Sequence, residues 1–216
     1  MAARSCGEGK FIAVSGIDGT GKSTLVAELA ESLRQRGHKV LTLAGLKSDA
    51  AMPSEWLRRI PRDDKTRDVV ESWIGGLFTL ILYDNAVNRV EPALTEGAWV
   101  VTDRWMLDHM ANQEALGARL DQWLPVLAQV RRPHLTLLLE APLDAVEKRI
   151  ARRGSSGIGS GKRFLSACAA ALDRLGSKEA HQPVVRLDAR FSAQDVRLLA
   201  LAAIDATFDV RSGEAD

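Results

Sequence analysis

Phe11-Ile-Ala-Val-Ser15-Gly16-Ile17-Asp18-Gly19-Thr20-Gly21-Lys22-Ser23-Thr24 is the stretch on which the fold turns. Its first five residues are a short apolar run with the character of a buried strand. The next eight match G-x-x-x-x-G-K-[ST], a phosphate-binding loop, and a helical stripe of Leu25, Leu29 and Leu33 follows, with Gly37 where a C-terminal cap belongs. Glycines at 16, 19 and 21 let the backbone curl so that its amides face phosphate oxygens, and the start of the helix adds a positive dipole end. Lys22 is then placed to reach β- and γ-phosphates and Ser23 to offer a hydroxyl to Mg²⁺, with Asp18, Thr20 and Thr24 in the same nucleotide-binding group.

Working outward, short β-rich runs alternate with longer helical stretches, the pattern of a parallel sheet covered by helices on both faces. Strands are expected at Val40 to Ala44, Trp99 to Thr102, within His134 to Leu139, and at Val184 to Leu187. Helices are expected over 67–95, bent at Gly75-Gly76 or Pro92, and near 107–116, 119–131, 143–152, 163–175 and 193–208. The run 134–139, apolar almost throughout, has the character of a strand buried on both faces and inside the sheet. The chain of 216 residues is read as one α/β domain of three layers, residues 1–216.

With 29 Lys and Arg against 28 Asp and Glu, the net charge of +1 gives no field for a long polyanion, which weighs against nucleic acid as partner. Cys6 and Cys168 lack partners at disulfide or zinc spacing. No apolar run reaches the ~20 residues of a membrane helix, and the segment before Phe11 reads as neither signal nor transit peptide. A cytoplasmic protein without membrane contact is expected.

The loop alone does not separate kinases from GTPases or hydrolytic ATPases. The chain has no Asn-Lys-x-Asp for guanine, and no strand ends in Asp-Glu. The third strand ends instead in Asp103-Arg104. A carboxylate at a strand's C-terminal edge can hold Mg²⁺ through water, while the adjacent guanidinium can clamp an acceptor phosphate. That pairing suits transfer to a phosphorylated acceptor.

Four segments carry a resemblance to the nucleoside monophosphate kinases, most closely the thymidylate kinases. They are Ser15-Gly-Ile-Asp-Gly-Thr-Gly-Lys-Ser-Thr24, Pro92 to Trp105, Arg132 to Pro142 with the helix running to Arg153-Gly154, and Leu187 to Ser192. The resemblance implies a P-loop fold with a five-stranded parallel sheet, ATP as donor, Mg²⁺, a mobile lid and a homodimer. It implies that Lys22, Ser23 and Arg149 serve ATP and the metal, that Asp18 serves the acceptor's sugar, and that Asp103 completes the metal site. Arg104 would hold the acceptor phosphate and Phe78 would stack on the base. Because position 19 is glycine, the resemblance points to the type with its basic residues in the lid, here 153–163 with Arg153 and Arg163 at its ends.

The acceptor side departs from the family. Ala44 stands where an arginine is usual, with Lys47, Arg58, Arg59 or Arg62 as substitutes; Leu82 and Asp84 stand where a base-reading arginine and a glutamine are usual. Asn112 replaces a tyrosine, Asp108 and His109 replace a small polar pair, and Gln113 matches. Asp108, Asn112 and Gln113 are therefore expected at the acceptor. The expected reaction is phosphorylation of a nucleoside monophosphate, dTMP-like or a modified pyrimidine nucleotide. The alternative is a kinase acting on a hydroxyl, with Asp18, Asp84 or Asp108 as base.

Overall fold

Strand β1, Phe11–Ser15, is fully buried, its side chains alternating between two apolar layers. Ile12 and Val14 face one layer, Phe11 and Ala13 the other, which is why the run carries no polar alternation. The computed structural model describes residues 8–47, 67–152, 154, 161–178 and 183–208. The other strands are β2 (Val40–Ala44), β3 (Trp99–Asp103), β4 (Leu135–Glu140) and β5 (Val184–Asp188). They form one parallel sheet of order β2-β3-β1-β4-β5. β4 is interior as expected, and β1 is central.

Among the described residues, α1 (Lys22–Gln35) and α8 (Ala193–Phe208) cover one face. α1 ends as its sequence indicates: Gly37 takes φ +87°, and the Gly37 and His38 amides return to Arg34 and Leu33 carbonyls. The other face carries α2 (Arg67–Asn85), α3 (Glu91–Thr95), α4 (Met106–Leu116), α5 (Leu124–Leu127), α6 (Leu143–Arg152) and α7 (Lys162–Lys178).

Two helical expectations are corrected. The segment 67–95 is interrupted neither at the glycines nor at Pro92 itself but by a widened turn at Ala86–Val90, where the Glu91 amide reaches back to the Ala86 carbonyl. It ends two residues before Pro92, which has no amide to continue the ladder. Gly75 and Gly76 serve close approach instead, since a Cβ at 76 would lie 2.0 Å from Trp123 Cζ2. The helix expected over 119–131 is a 3₁₀ turn at Asp121–Trp123 followed by α5. Pro125 cannot donate to a preceding carbonyl, so the two turns do not merge.

Parallel order sends the chain from β1 outward to β2 on one side and, later, to β4 on the other. This opens a crevice at the C-terminal ends of β1 and β3. The loop after β1 and the Asp103-Arg104 pair after β3 both end there.

Candidate active site

The loop from Gly16 to Gly21 is shaped by three left-handed glycines, with φ of +145°, +84° and +100° at 16, 19 and 21. A Cβ at Gly16 would sit 2.7 Å from the Leu139 carbonyl oxygen, so the loop crosses β4 too closely for any side chain. At Gly21 a Cβ would meet nothing within 4 Å, and Gly21, Lys22 and Ser23 at the start of α1 border open space. That space suits a triphosphate. Lys22 is 5% exposed, its Nζ donating to the Ile17 carbonyl at 2.8 Å and lying 4.0 Å from Asp18 Oδ1. Burial, then the neighbouring Arg104 guanidinium, pull its pKa down to about 8 against the opposing pull of Asp108, Asp18 and Asp103.

The Ser23 hydroxyl donates to Asp103 Oδ2. Two hard oxygens from different elements thus meet at the loop. No cluster of three metal-binding side chains occurs among the described residues. This sparse set fits Mg²⁺, which keeps most of its waters and needs only one or two protein oxygens beside phosphates.

Arg104 has φ +71°, the only positive value outside glycine among the described residues. Its amide continues the ladder to the Val14 carbonyl at 2.9 Å, and its side chain turns back over the loop. Nη2 pairs with Asp18, while Nη1 reaches Asp108 Oδ1 at 3.3 Å and the Gly16 carbonyl at 3.5 Å. Burial lowers its pKa, but Asp108, Asp18 and Asp103 outweigh this and raise it, so the charge is permanent.

Lys22, Ser23, Asp103 and Arg104 border one cavity of about 490 Å³, together with Asp18, Gly19, Gly21 and Thr24. Lys47, Phe78, Asn112 and Phe164 line it further out. A second cavity of about 210 Å³ lies on the other side of the loop, bordered by Thr20, Thr24, Arg149 and Phe191. Arg149 donates to the Gly19 carbonyl at 3.4 Å and the Ala189 carbonyl at 2.9 Å, joining the loop to the end of β5.

A sequence model of the family described as thymidylate kinase matches residues 14–198. The chain belongs to the thymidylate kinase family. A probable thymidylate kinase of Pyrobaculum calidifontis is 34% identical over 154 residues, covering 66% of this chain and 70% of the relative. Thymidylate kinases of Bradyrhizobium diazoefficiens (30% over 157 residues; 70% and 68% covered) and Cupriavidus metallidurans (35% over 151 residues; 66% and 70%) are also similar. Membership of the thymidylate kinase family makes the chain an enzyme, an ATP-dependent kinase of small nucleotides. No described helix is long and apolar enough to cross a membrane.

Within this thymidylate kinase fold most residues expected at the site converge, and several do not. Asp108 is 0% exposed and absent from the cavity wall. Its oxygens accept from the Gly16 amide at 3.1 Å, the Trp105 amide at 3.3 Å and Arg104, so it faces protein groups and not an acceptor. Gln113 is likewise buried, facing Gly75 rather than the cavity. Gly16 contributes the turn, since its amide is taken by Asp108. Leu82 lies in the core and Asp84 on the exposed face of α2, where Asn88 bonds it. His109 is enclosed, its Nε2 2.9 Å from the Thr79 hydroxyl, and burial takes its pKa down to about 4. Arg163 is exposed at the start of α7 and outside the cavity wall; Arg153, Arg58, Arg59, Arg62 and most of the lid segment lie outside the described residues.

Sequence reasoning missed Phe164, Leu165, Cys168 and Gly45. The first three arrive on α7, distant in sequence from the loop. A Cβ at Gly45 would lie 2.2 Å from the Arg104 carbonyl oxygen and 2.6 Å from Trp105 Cε3. The Gly45 and Lys47 carbonyls are held by Asn85 Nδ2 at 3.1 and 3.0 Å. The Gly-Leu-Lys after β2 offered a signal for this contact, which needed the β2–β3 pairing to be read.

Proposed function

We propose that the chain transfers the γ-phosphoryl group of ATP, with Mg²⁺, to the phosphate of a nucleoside monophosphate, dTMP or a base-modified pyrimidine relative, giving the diphosphate. The observation that carries this reading is the shared wall: donor-loop Lys22 and Ser23 and strand-end Asp103 and Arg104 border one cavity. The relatives' names support a thymidylate-like acceptor. Leu82 inside the core, with no cation at that position, supports room for a different base.

An acceptor phosphate is anionic near neutral pH and needs no general base. Its oxygen forms a bond to the γ-phosphorus as the bond to the bridging oxygen breaks, and ADP leaves with the electron pair. Arg104 holds the acceptor through the edge now facing Asp18, a surface partner whose loss costs little. Lys22 exchanges the Ile17 carbonyl for β- and γ-phosphate oxygens, and the amides near Gly21 complete the cradle. Ser23 through its hydroxyl and Asp103 through water would hold Mg²⁺, which would supply neutralisation of charge on the transferring group.

Phe78 and Phe164 offer aromatic walls for the base, Asn112 a polar group beside them, and Asp18 an acceptor for a sugar hydroxyl. Arg149 and Phe191, in the smaller cavity, suit the adenine of ATP. Residues 153–163 act as a lid in this reading, Arg153 and Arg163 being its cations, with the Lys162–Glu147 ion pair of 3.7 Å linking α7 to α6. The chain works as one domain in the cytoplasm, in keeping with the free thiol of Cys168. Trp73, Leu80, Tyr83 and Val87, exposed along α2 and the turn after it, support pairing of two copies, which light scattering would test.

Of the carboxylates considered as base for a hydroxyl acceptor, Asp84 and Asp108 lie outside the cavity wall, and Asp18 is paired with Arg104. Phosphate as acceptor is therefore favoured. The test is an ATP-consumption screen over ribo- and deoxynucleoside monophosphates, 5-substituted pyrimidine nucleotides and free nucleosides, each product weighed for one added phosphate. Turnover of monophosphates is expected. Turnover of free nucleosides alone overturns the reading.

A further inference from the structure

Arg104 lines the cavity from the end of β3 and reaches back to the donor loop, and its two edges are treated differently. Nη2 faces Asp18, whose side chain is 55% exposed; Nη1 faces Asp108, whose side chain is 0% exposed. A solvent-facing carboxylate can swing into water at little cost. A buried one cannot, because its charge would lose the cation that offsets it and keep only neutral amides as partners in a low-dielectric site.

The buried carboxylate also reaches beyond Arg104. Oδ1 accepts from the Gly16 amide at 3.1 Å as well as from Nη1 at 3.3 Å, and Oδ2 accepts from the Trp105 amide at 3.3 Å, capping α4 at its third position. The Gly16 carbonyl meanwhile accepts from Nη1 at 3.5 Å, so the first glycine of the donor loop is held at both its amide and its carbonyl. Arg104 sits at a left-handed φ, a conformation that non-glycine residues keep only where their surroundings over-determine it.

We propose that Asp108 is a positioning residue that ties the first glycine of the donor loop to the acceptor-side Arg104, fixing one edge of the guanidinium in the protein and leaving the other for exchange between Asp18 and an incoming phosphate. Donor and acceptor halves then share one geometry through a single carboxylate. This rests on the proposed function for the identity of the incoming phosphate, and on the hydrogen bonds alone for the tie.

The test is a double-mutant cycle of Asp108→Asn and Arg104→Ala in the full chain, with two readouts. One is the Kd of a non-hydrolysable ATP analogue, measured with no acceptor; the other is the KM of a nucleoside monophosphate. Asp108→Asn keeps the size and a carbonyl oxygen but loses the charge. It is expected to raise the acceptor KM about tenfold and the analogue Kd about threefold, the range of a weakened charged hydrogen bond. In the Arg104→Ala background each effect is expected to shrink below about twofold, because residues acting through one another are not additive. Effects that multiply unchanged in both backgrounds, or an Asp108→Asn enzyme indistinguishable from the parent, overturn the proposal. Should Asp108→Asn fail to fold, Asp108→Ser, which keeps a small acceptor, enters the same cycle. A chain that turns over no monophosphate, yet shows non-additive analogue binding, fails the proposed function and keeps this inference.

Discussion

Lys22→Met should make the nucleotide-free protein more stable while removing its grip on ATP. The ammonium is almost enclosed, and its pKa of about 8 against 10.5 for a free lysine means that the folded state holds the proton reluctantly. In free energy this is ~3 kcal/mol against folding in the protonated form. The unfolded chain binds more protons between the two values, so the penalty is complete below pH 8 and fades as pH rises toward 10.5. Methionine fills similar space without a charge. The Ile17 carbonyl keeps the Thr20 hydroxyl at 2.8 Å, so little is lost there. Allowing ~1 kcal/mol for the missing hydrogen bond leaves a net gain of ~2 kcal/mol at pH 7, a rise in Tm of roughly 4–8 °C for a domain of this size. Thermal unfolding of both proteins without nucleotide, from pH 6.5 to 9.5, reads the effect. The gain should fall below ~1 kcal/mol by pH 9.5. An Lys22→Met protein no more stable than the parent at pH 7, or a gain independent of pH, refutes the reasoning.

ATP binding at pH 8 should take up about half a proton per site, since phosphates restore the full charge of Lys22, and binding should weaken above that pH; calorimetry in buffers of different ionisation enthalpy measures both. Gly45→Ala should push the Arg104-Trp105 peptide aside, costing about 1–3 kcal/mol of stability and raising the acceptor KM more than the ATP KM, as unfolding and steady-state kinetics would record. Cys168 is held as a thiol, its pKa pushed up to about 12 by burial and by Asp108, and it donates to Asn112 Oδ1 at 3.1 Å. Alkylation by iodoacetamide at pH 8 should therefore be far slower in the native protein than in the unfolded chain, and mass spectrometry of the modified peptide would show it.

Much of this was legible because it is local. Strand, loop and helix around Lys22 are written in consecutive residues, and Asp103-Arg104 announces itself by its place at a strand end. The less legible features depend on groups brought together by folding. Asp108 carries no sequence mark of burial; its partners come from the loop after β1, the end of β3 and the start of its own helix. The glycine pair in α2 reads as a bend until Trp123, from a different element, is seen packed against it. Leu82 and Phe78 lie one helical turn apart, yet one is core and the other cavity wall, a distinction set by the direction from which the sheet meets the helix.

The most direct measurement follows the phosphorus itself. ATP carrying ¹⁸O in its γ-phosphoryl group, incubated with the chain, Mg²⁺ and an accepted nucleoside monophosphate, should yield a nucleoside diphosphate with the label in its terminal phosphate, and Arg104→Ala should suppress that product. Label recovered only in inorganic phosphate, or on an ester formed at a formerly free hydroxyl, would contradict the account.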